Sequence, residues 1–332
     1  MKKKHEKSAC CRADVIKYGN RRRQCVKCRG TWSVWKQRRG RKKKRTNQNF
    51  VCQFLSRDVA SLASLARKRA CSETSMQELL RRSREYFIHR TPWPTIPKGD
   101  LLLVADAVVE MIEHRWYTIY LMLVRPVGGI TATILPPRIV PGTETAPNWN
   151  RAIETIPASV LGRTKAMVSD GHLGLVQEGL WRGWVIQRCH FHLLARIQSR
   201  RSRFATARNR KEAEEIFRLA RIVLTHTDET AIQQPLIRIE EIGWNSTSPE
   251  IRKVLSGFVK NHQQYRSYLR HPELHLPITN NTAESLASSI ADLKHRMRGF
   301  PTLRSFTQWI VALLKFKKSI ACNGFPQQNK MG

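Results

Sequence analysis

Three carboxylates stand out by where they fall. Asp106 lies alone inside the apolar run LLLVADAVV (101–109). A strand of that composition is buried on both faces, and an ionised carboxylate there is costly unless it is paired or bound to a metal. Its other reading is a satisfied structural aspartate or an exposed strand end. Asp170 closes a second apolar run, KAMVSD (165–170), and precedes Gly171. Strand C-termini are where ligands gather in α/β sheets, but Asp-Gly is also a common turn, and Asp170 is placed to cap a following helix. Glu284 falls in ITNNTAESLASSIADLKHRMRGF (278–300), where Leu286, Ile290, Leu293 and Met297 form a helical stripe and Gly299 suits the residue past the helix end. Asn281 and Glu284 would also serve as an N-terminal capping pair with no chemical role. Taken together, the three carboxylates suit a different task. Two aspartates at strand ends and a glutamate on a later helix can hold two magnesium (or manganese) ions about 3.5–4 Å apart, the arrangement for in-line displacement at phosphorus.

Charge supports a phosphate-bearing partner. The 332 residues carry 59 Lys and Arg against 25 Asp and Glu, a formal +34. A field of that sign favours a polyanion, and double-stranded DNA is the first candidate because neutralising its phosphates releases counterions. Half of the excess sits in residues 1–50, with 19 basic residues and only Glu6 and Asp14 as acids. Arg21, Arg22, Arg23, Arg41, Lys42, Lys43, Lys44 and Arg45 are the densest part of this arm. The segment also holds cysteines, Trp32 and Trp35, which a purely disordered tail usually lacks. No apolar run approaches the ~18 residues of a membrane-spanning helix, and the basic start lacks the apolar stretch of a secretory signal. Eight cysteines in a chain of this length do not form the pattern of a disulfide framework, which places the protein in a reducing interior, in the cytoplasm and at the nucleoid.

The elements that must position the carboxylates follow from periodicity. Residues 57–88 show two short apolar stripes at helical spacing, Val59 to Ala66 and Met76 to Phe87. Ser75 with Glu78 suits a capping box. With Arg81, Arg82 and Arg84 on the second helix, residues 51–90 read as a helix-turn-helix or as an ordinary helical hairpin. TPWPTIPKGD (91–100), with three prolines, reads as a linker. Then come runs at 101–109, 115–124 and 130–136, a helix-compatible stretch from Asn148 to Leu161, and strands KAMVSD and WVIQRCHF (184–191) around a helix beginning near Gly171. Three strands followed by alternating helix and strand predict an α/β fold with a mixed sheet. A charged helical stretch follows, and a last helical block begins near Asn281.

VSDGHLGL (168–175), QRCHFH (187–192) and ITNNTAESLASSIADLKHRMRGF resemble the Mutator-type DDE transposases of bacterial insertion sequences, from about Leu101 to Leu314. The resemblance implies a ribonuclease H-like catalytic core over 101–192 and 276–332, with Asp106, Asp170 and Glu284 as its acidic triad. It makes 193–275 an all-α insertion, which suits the 114 positions between Asp170 and Glu284. The implied reaction is magnesium-dependent hydrolysis at terminal inverted repeats, then attack of the freed 3′-hydroxyl on target DNA, by a homodimer or larger assembly. Cys189 and His192 match the family's Cys-x-x-His motif. They read either as two zinc ligands lacking a second pair or as a packed cysteine and a hydrogen-bonded histidine. KYGNRRRQCVKCRGTWSVW (17–35) resembles the zinc ribbons that precede some of these transposases. Cys25-x-x-Cys28 is a regular knuckle, but the other half shows adjacent Cys10 and Cys11, with Ser8 where a further cysteine would stand. His5 is a candidate for the missing ligand. A second functional reading is a non-catalytic or domesticated DNA-binding regulator derived from such an enzyme.

Overall fold

The computed structural model describes residues 8, 10–18, 22–33, 49–56, 61–198, 207–246 and 248–322. His5, Arg21, Arg41, Lys42, Lys43, Lys44 and Arg45 lie outside these residues. The chain divides into two units, Met1–Asn47 and Gln48–Gly332.

The first unit is a three-stranded antiparallel sheet of β1 (Val15–Lys17), β2 (Arg22–Cys25) and β3 (Thr31–Ser33), in that order. Arg22 is exposed and faces Ser33 across the β2–β3 ladder, and Arg23 faces Trp32. The Cys25–Cys28 turn closes through Arg29 N–H on Cys25 O at 2.9 Å, with Arg29 itself left-handed at φ 53°.

The second unit opens with three helices, α1 (Asn49–Leu55), α2 (Leu62–Lys68) and α3 (Glu73–Arg90). Ser61 caps α2, and Ser72, not Ser75, caps α3, accepting from Ser75 N–H. Glu78 forms no capping box; it ion-pairs with Arg81 and Arg82. A long hairpin follows, β4 (Leu101–Ile112) and β5 (Arg115–Pro126), turned by Glu113 and His114 at φ 50° and 60°. Two consecutive left-handed residues match the right-handed twist of the strands. Next come β6 (Thr131–Ile134), β7 (Arg138–Pro141), α4 (Ala146–Ile153), α5 (Ala158–Leu161), β8 (Thr164–Ser169), α6 (Leu173–Trp181), β9 (Val185–Arg188) and α7 (His190–Gln198). Helices α8 (Ala207–Thr225), α9 (Gln233–Asn245), α10 (Pro249–Tyr265) and α11 (Ser267–Arg270) lead to α12 (Asn281–Met297), α13 (Leu303–Lys317) and β10 (Ser319–Ala321).

The sheet is mixed, with order β10-β6-β5-β4-β8-β9 and β7 paired to β5. Strands β4, β5 and β6 are antiparallel neighbours, whereas β8 and β9 run parallel to β4. Sequence patterning misses β7 and β10, whose three or four residues are too short for a periodic signal. One face of the sheet, through Val104, Leu121, Leu123 and Val168, packs on α12, α13 and the three opening helices. The other, through Leu103, Ala105, Met122 and Met167, packs on α4, α5 and α6. Helices α7 to α10 build a separate core around Ile216, Ile239, Leu255 and Phe258. No helix among the described residues is long and apolar enough to cross a membrane.

The opening helices do not stand apart from the sheet domain. Met76, Leu80 and Phe87 of α3 share one core with Trp309 and Ile310 of α13, with residues 91–100 lying between the two in sequence. Arg84, expected on a DNA-facing surface, is instead 4% exposed. Its guanidinium bonds Ser305 and Gln308 and lies over the Trp309 ring.

Helix α6 approaches α4 closely enough that a Cβ on Gly174 would fall 2.3 Å from Ala146 Cβ and 2.4 Å from its Cα. Gly174→Ala should therefore destabilise the protein by about 1–3 kcal/mol through overpacking. Gly257 in α10 has open space around it, and Gly257→Ala should raise stability by up to about 1 kcal/mol through helix propensity. Urea unfolding of both variants checks the contrast. Equal effects would mean that the α4–α6 contact yields at no cost.

Candidate active site

Strand pairing and pleat bring the carboxylates together. Val104 of β4 pairs with Val168 of β8 in parallel register, so two residues further along the strands stand Asp106 and Asp170. Because side chains alternate, both lie on the face of Val104 and Val168, the face that α12 covers. Glu284 arrives there from the first turn of α12.

The loop at Asp170 is built to hold it. Gly171 has φ 95°, and a Cβ there would meet Arg188 Nε at 2.9 Å. Arg188 from the end of β9 donates to Gly171 O at 2.9 Å, and Asp170 Oδ1 accepts His172 N–H at 2.9 Å. Asp170 is thus not the N-cap of α6; that position is His172.

Glu284 is not one half of a capping pair. The N-cap of α12 is Asn280, and its side chain makes no cap hydrogen bond. Asn280 is fully buried, and its Nδ2 donates to Ala105 O at 3.1 Å, the carbonyl directly before Asp106. Its backbone N–H donates to Cys189 Sγ at 3.2 Å. One residue therefore ties the start of α12 both to β4 and to the Cys-x-x-His segment. At the far end, the Gly299 N–H bonds Lys294 O with φ 91°, the stop expected from the sequence.

Cys189 and His192 lie against Glu284. The Cys189 thiol is 3.8 Å and His192 Nδ1 is 3.4 Å from Glu284 Oε1. Burial pushes the Cys189 thiol up to about 11, so it is a neutral thiol that accepts from Asn280 and points a weak donor at the carboxylate. The three side chains offer donor atoms within 4.8 Å of one another, a geometry open both to a packed cysteine with a hydrogen-bonded histidine and to metal ligation.

A fourth carboxylate escapes sequence inspection. Glu144, in a loop ahead of α4, accepts Trp149 Nε1–H at 2.6 Å and sits 3.7 Å from His172 Nδ1. Burial raises its pKa, and the charge of Asp170 adds to the effect. Asp106 is pushed up to about 7, first by burial and then by Asp170, Glu284 and Glu144. Nothing in PGTETAPNW distinguished Glu144 from a solvated loop acid.

In the first unit the Sγ atoms of Cys10, Cys11, Cys25 and Cys28 all lie within 4.8 Å of one another. Ser8 does not leave a gap; its hydroxyl donates to Cys25 Sγ at 3.3 Å. The Cys28 backbone N–H, followed by that hydroxyl, lowers the Cys25 pKa to about 6.

The segment that follows the Cys-x-x-His motif is moored to the sheet at several points. His190, 4% exposed, donates from Nε2 to Tyr265 O at 2.6 Å. Ser267 Oγ donates to Ile186 O at 2.6 Å, and Gln187 bonds both Tyr265 O and Tyr268 N–H.

The family described as Transposase, Mutator family, matches over residues 132–319, a span that holds Asp170, Cys189, His192 and Glu284 and begins after Asp106. No curated protein matches the chain.

Burial lowers the His190 pKa from 6.5 to about 4. The unfolded chain then takes up a proton at His190 that the native chain refuses. Stability from this group is complete above pH 6.5 and is lost as pH falls towards 4, by up to about 3 kcal/mol. His190→Gln, which keeps an N–H donor and does not titrate, should flatten the acid limb of the stability profile between pH 6.5 and 4. An unchanged limb in urea titrations would assign the acid sensitivity elsewhere.

Proposed function

Since this chain belongs to the Mutator family of transposases, we propose that it cuts DNA at the ends of its element and joins the freed 3′-hydroxyl to target DNA, with Asp106, Asp170 and Glu284 as its metal-binding carboxylates. The carrying observation is the Asn280 latch. It brings Glu284 to the sheet face that carries Asp106, midway along β4, and Asp170, just past the end of the parallel neighbour β8. The strand order, three antiparallel strands followed by two parallel to the first, supports a ribonuclease H-like reading of the core.

The donor set fits magnesium or manganese. It consists of carboxylate oxygens, the ligands hard divalent cations prefer. The raised pKa of Asp106 reflects burial first and then the neighbouring negative charges of Asp170, Glu284 and Glu144, both of which a bound cation would offset. When bound, such ions activate an attacking oxygen and stabilise the leaving one. The chain's own residues supply placement. Arg188 and Gly171 hold the Asp170 loop, Asn280 sets Glu284 against β4, and Cys189 Sγ lies 3.8 Å from Glu284 Oε1.

The N-terminal unit reads as a zinc ribbon that grips DNA. Cys10, Cys11, Cys25 and Cys28 supply four sulfurs, the number a structural zinc site needs, so the reading does not require His5. The three opening helices keep the helix-turn-helix reading only with Arg81 and Arg82 as exposed contacts, because Arg84 is buried. The reading includes binding to inverted repeats as a dimer or larger assembly.

Asp106→Asn, Asp170→Asn and Glu284→Gln should each abolish cleavage and strand transfer on a labelled element end. The double variant Asp106→Asn with Glu284→Gln should be scarcely worse than either alone, because residues acting as a unit show non-additive losses. Gel-shift binding should persist in all of them. Magnesium should raise the melting temperature of the wild type and not that of Asp106→Asn. A Glu284→Gln protein that still cuts would remove Glu284 from the reaction. Wild type that binds ends and never cuts with magnesium or manganese would favour the regulator.

Purified protein should carry one equivalent of zinc, and Cys25→Ser should release it. Metal-free protein that binds ends with unchanged affinity would refute the ribbon.

A further inference from the structure

Where α3 packs on the N-terminal turn of α13 lies an open pocket of about 390 Å³, to which Leu62 of α2 and Met297, Gly299 and Pro301 also contribute. It is lined by Arg81, Arg84, Glu85, Arg304, Ser305 and Gln308 among others; Arg81 is already paired with Glu78 and Glu85, which leaves Arg84 and Arg304 as the cations of the site. Glu85 is itself engaged, bonded to Arg81 at 3.1 Å.

Arg84 is the unusual member. It is 4% exposed, and its guanidinium reaches only uncharged acceptors, Ser305 Oγ at 3.4 Å and Gln308 Oε1. Its Nε is buried with no hydrogen-bond partner. A buried cation is expensive unless an opposite charge answers it, and no carboxylate is bonded to this one among the described residues. The charges of Arg81 and Arg304 both bear on it unfavourably, against Glu85 alone in its favour. Burial, the larger effect, lowers its pKa only to about 10, so it stays charged at neutral pH. Stacking over Trp309, 5.0 Å from the ring centroid, holds the plane of the fork in place. The first turn of α13 carries no acidic residue of its own. Glu113 reaches the Leu303 N–H at 3.4 Å, so the helix end is partly answered and the case rests on Arg84.

We propose that this pocket is a phosphate site, and that its occupant is one backbone phosphate of duplex DNA, held by Arg84 from within and Arg304 from the rim. A guanidinium fork matches a phosphate as it does a carboxylate, and a contact of this kind fixes the protein's register on DNA without reading sequence. The inference rests on the DNA-cutting reading above. It assigns Arg84 a different role from a residue of a recognition helix, facing inward onto a phosphate and not outward onto base edges.

The test uses the full chain and a labelled duplex titrated from about 0.1 M salt upward. Each phosphate contact contributes about 0.9 to the log–log slope of affinity on salt. Arg304→Gln should reduce the slope by about one and weaken binding about tenfold at about 0.1 M, equally on an element end and on unrelated duplex. Arg84→Gln should do the same, and the double variant should lose little more, because both side chains hold one phosphate. Arg304 is exposed, so its variant tests the site even where Arg84→Gln fails to fold. Arg238→Gln, whose arginine is bonded to Glu215 and Glu241, should leave the slope unchanged. An unaltered slope in Arg304→Gln, a loss confined to one DNA sequence, or an equal loss in Arg238→Gln would overturn the phosphate site while leaving the DNA-cutting reading intact. Stabilisation by inorganic phosphate with an unaltered DNA slope would likewise overturn it. Wild type that binds no duplex at all would sink both.

Discussion

Carboxylates repel one another and resist burial, and the second unit is organised around holding several of them together in spite of that. Asp106 is pushed up to about 7, first by burial and then by the charges of Asp170, Glu284 and Glu144. Such a cluster persists only where the surrounding framework over-determines it. Here the framework is the parallel β4–β8 register, which fixes two of the carboxylates relative to each other, and Asn280, which fixes the third. Asn280 binds the carbonyl before Asp106 and the sulfur of Cys189 through different groups, so the start of α12 cannot slide along β4 without breaking both bonds.

The helical segment between β9 and α12 has to be carried without disturbing that latch. It builds its own core, which lets it fold around its own apolar contacts. Its tethers concentrate on one short stretch, residues 265–268, which meets β9 and α7 through Gln187, Ser267 and His190. The chain therefore leaves and returns to the sheet at neighbouring points, and the 114 positions between Asp170 and Glu284 leave no gap in the site. His190 N–H on Ile278 O at 2.9 Å closes the return just ahead of Asn280.

A mirror image of the acidic cluster lies between α3 and α13. There Arg84 and Arg304 line one pocket with no carboxylate bonded to Arg84 among the described residues, as carboxylates crowd around Asp106. Each concentration of one sign is held by packing, by Trp309 in one case and by the sheet in the other. Each is complementary to an ion of the opposite sign, and a nucleic acid with divalent cations supplies both. The opening helices and the sheet share one hydrophobic core, so a group bound at Arg84 and a group bound at Asp106 would be held by one body.

Much of the candidate site was legible from residue type and spacing. An aspartate inside LLLVADAVV stood out as costly unless paired or metal-bound, and the stripe Leu286, Ile290, Leu293 with Gly299 beyond it marked a helix and its end. These are local signals, set by pleat, helical repeat and the conformational freedom of glycine, and the sequence by itself determined them. Other features depended on tertiary structure because they are contacts between residues distant along the chain. Asn281 and Glu284 looked like a local capping pair, whereas the residue before them, Asn280, begins the helix and places its side chain on Ala105 O, 175 positions away. Glu144 carried no pattern that set it apart from a loop acid. Arg84 sat in a basic run indistinguishable from its exposed neighbours, and only the packing of α3 on α13 turned it inward. Ser8 and Cys10 looked like a broken knuckle because spacing alone does not show that adjacent cysteines can both turn towards Cys25 and Cys28. Helical and strand periodicity report which face of an element is apolar. They do not say what that face meets, and it is the meeting of faces that brings distant polar groups within bonding distance.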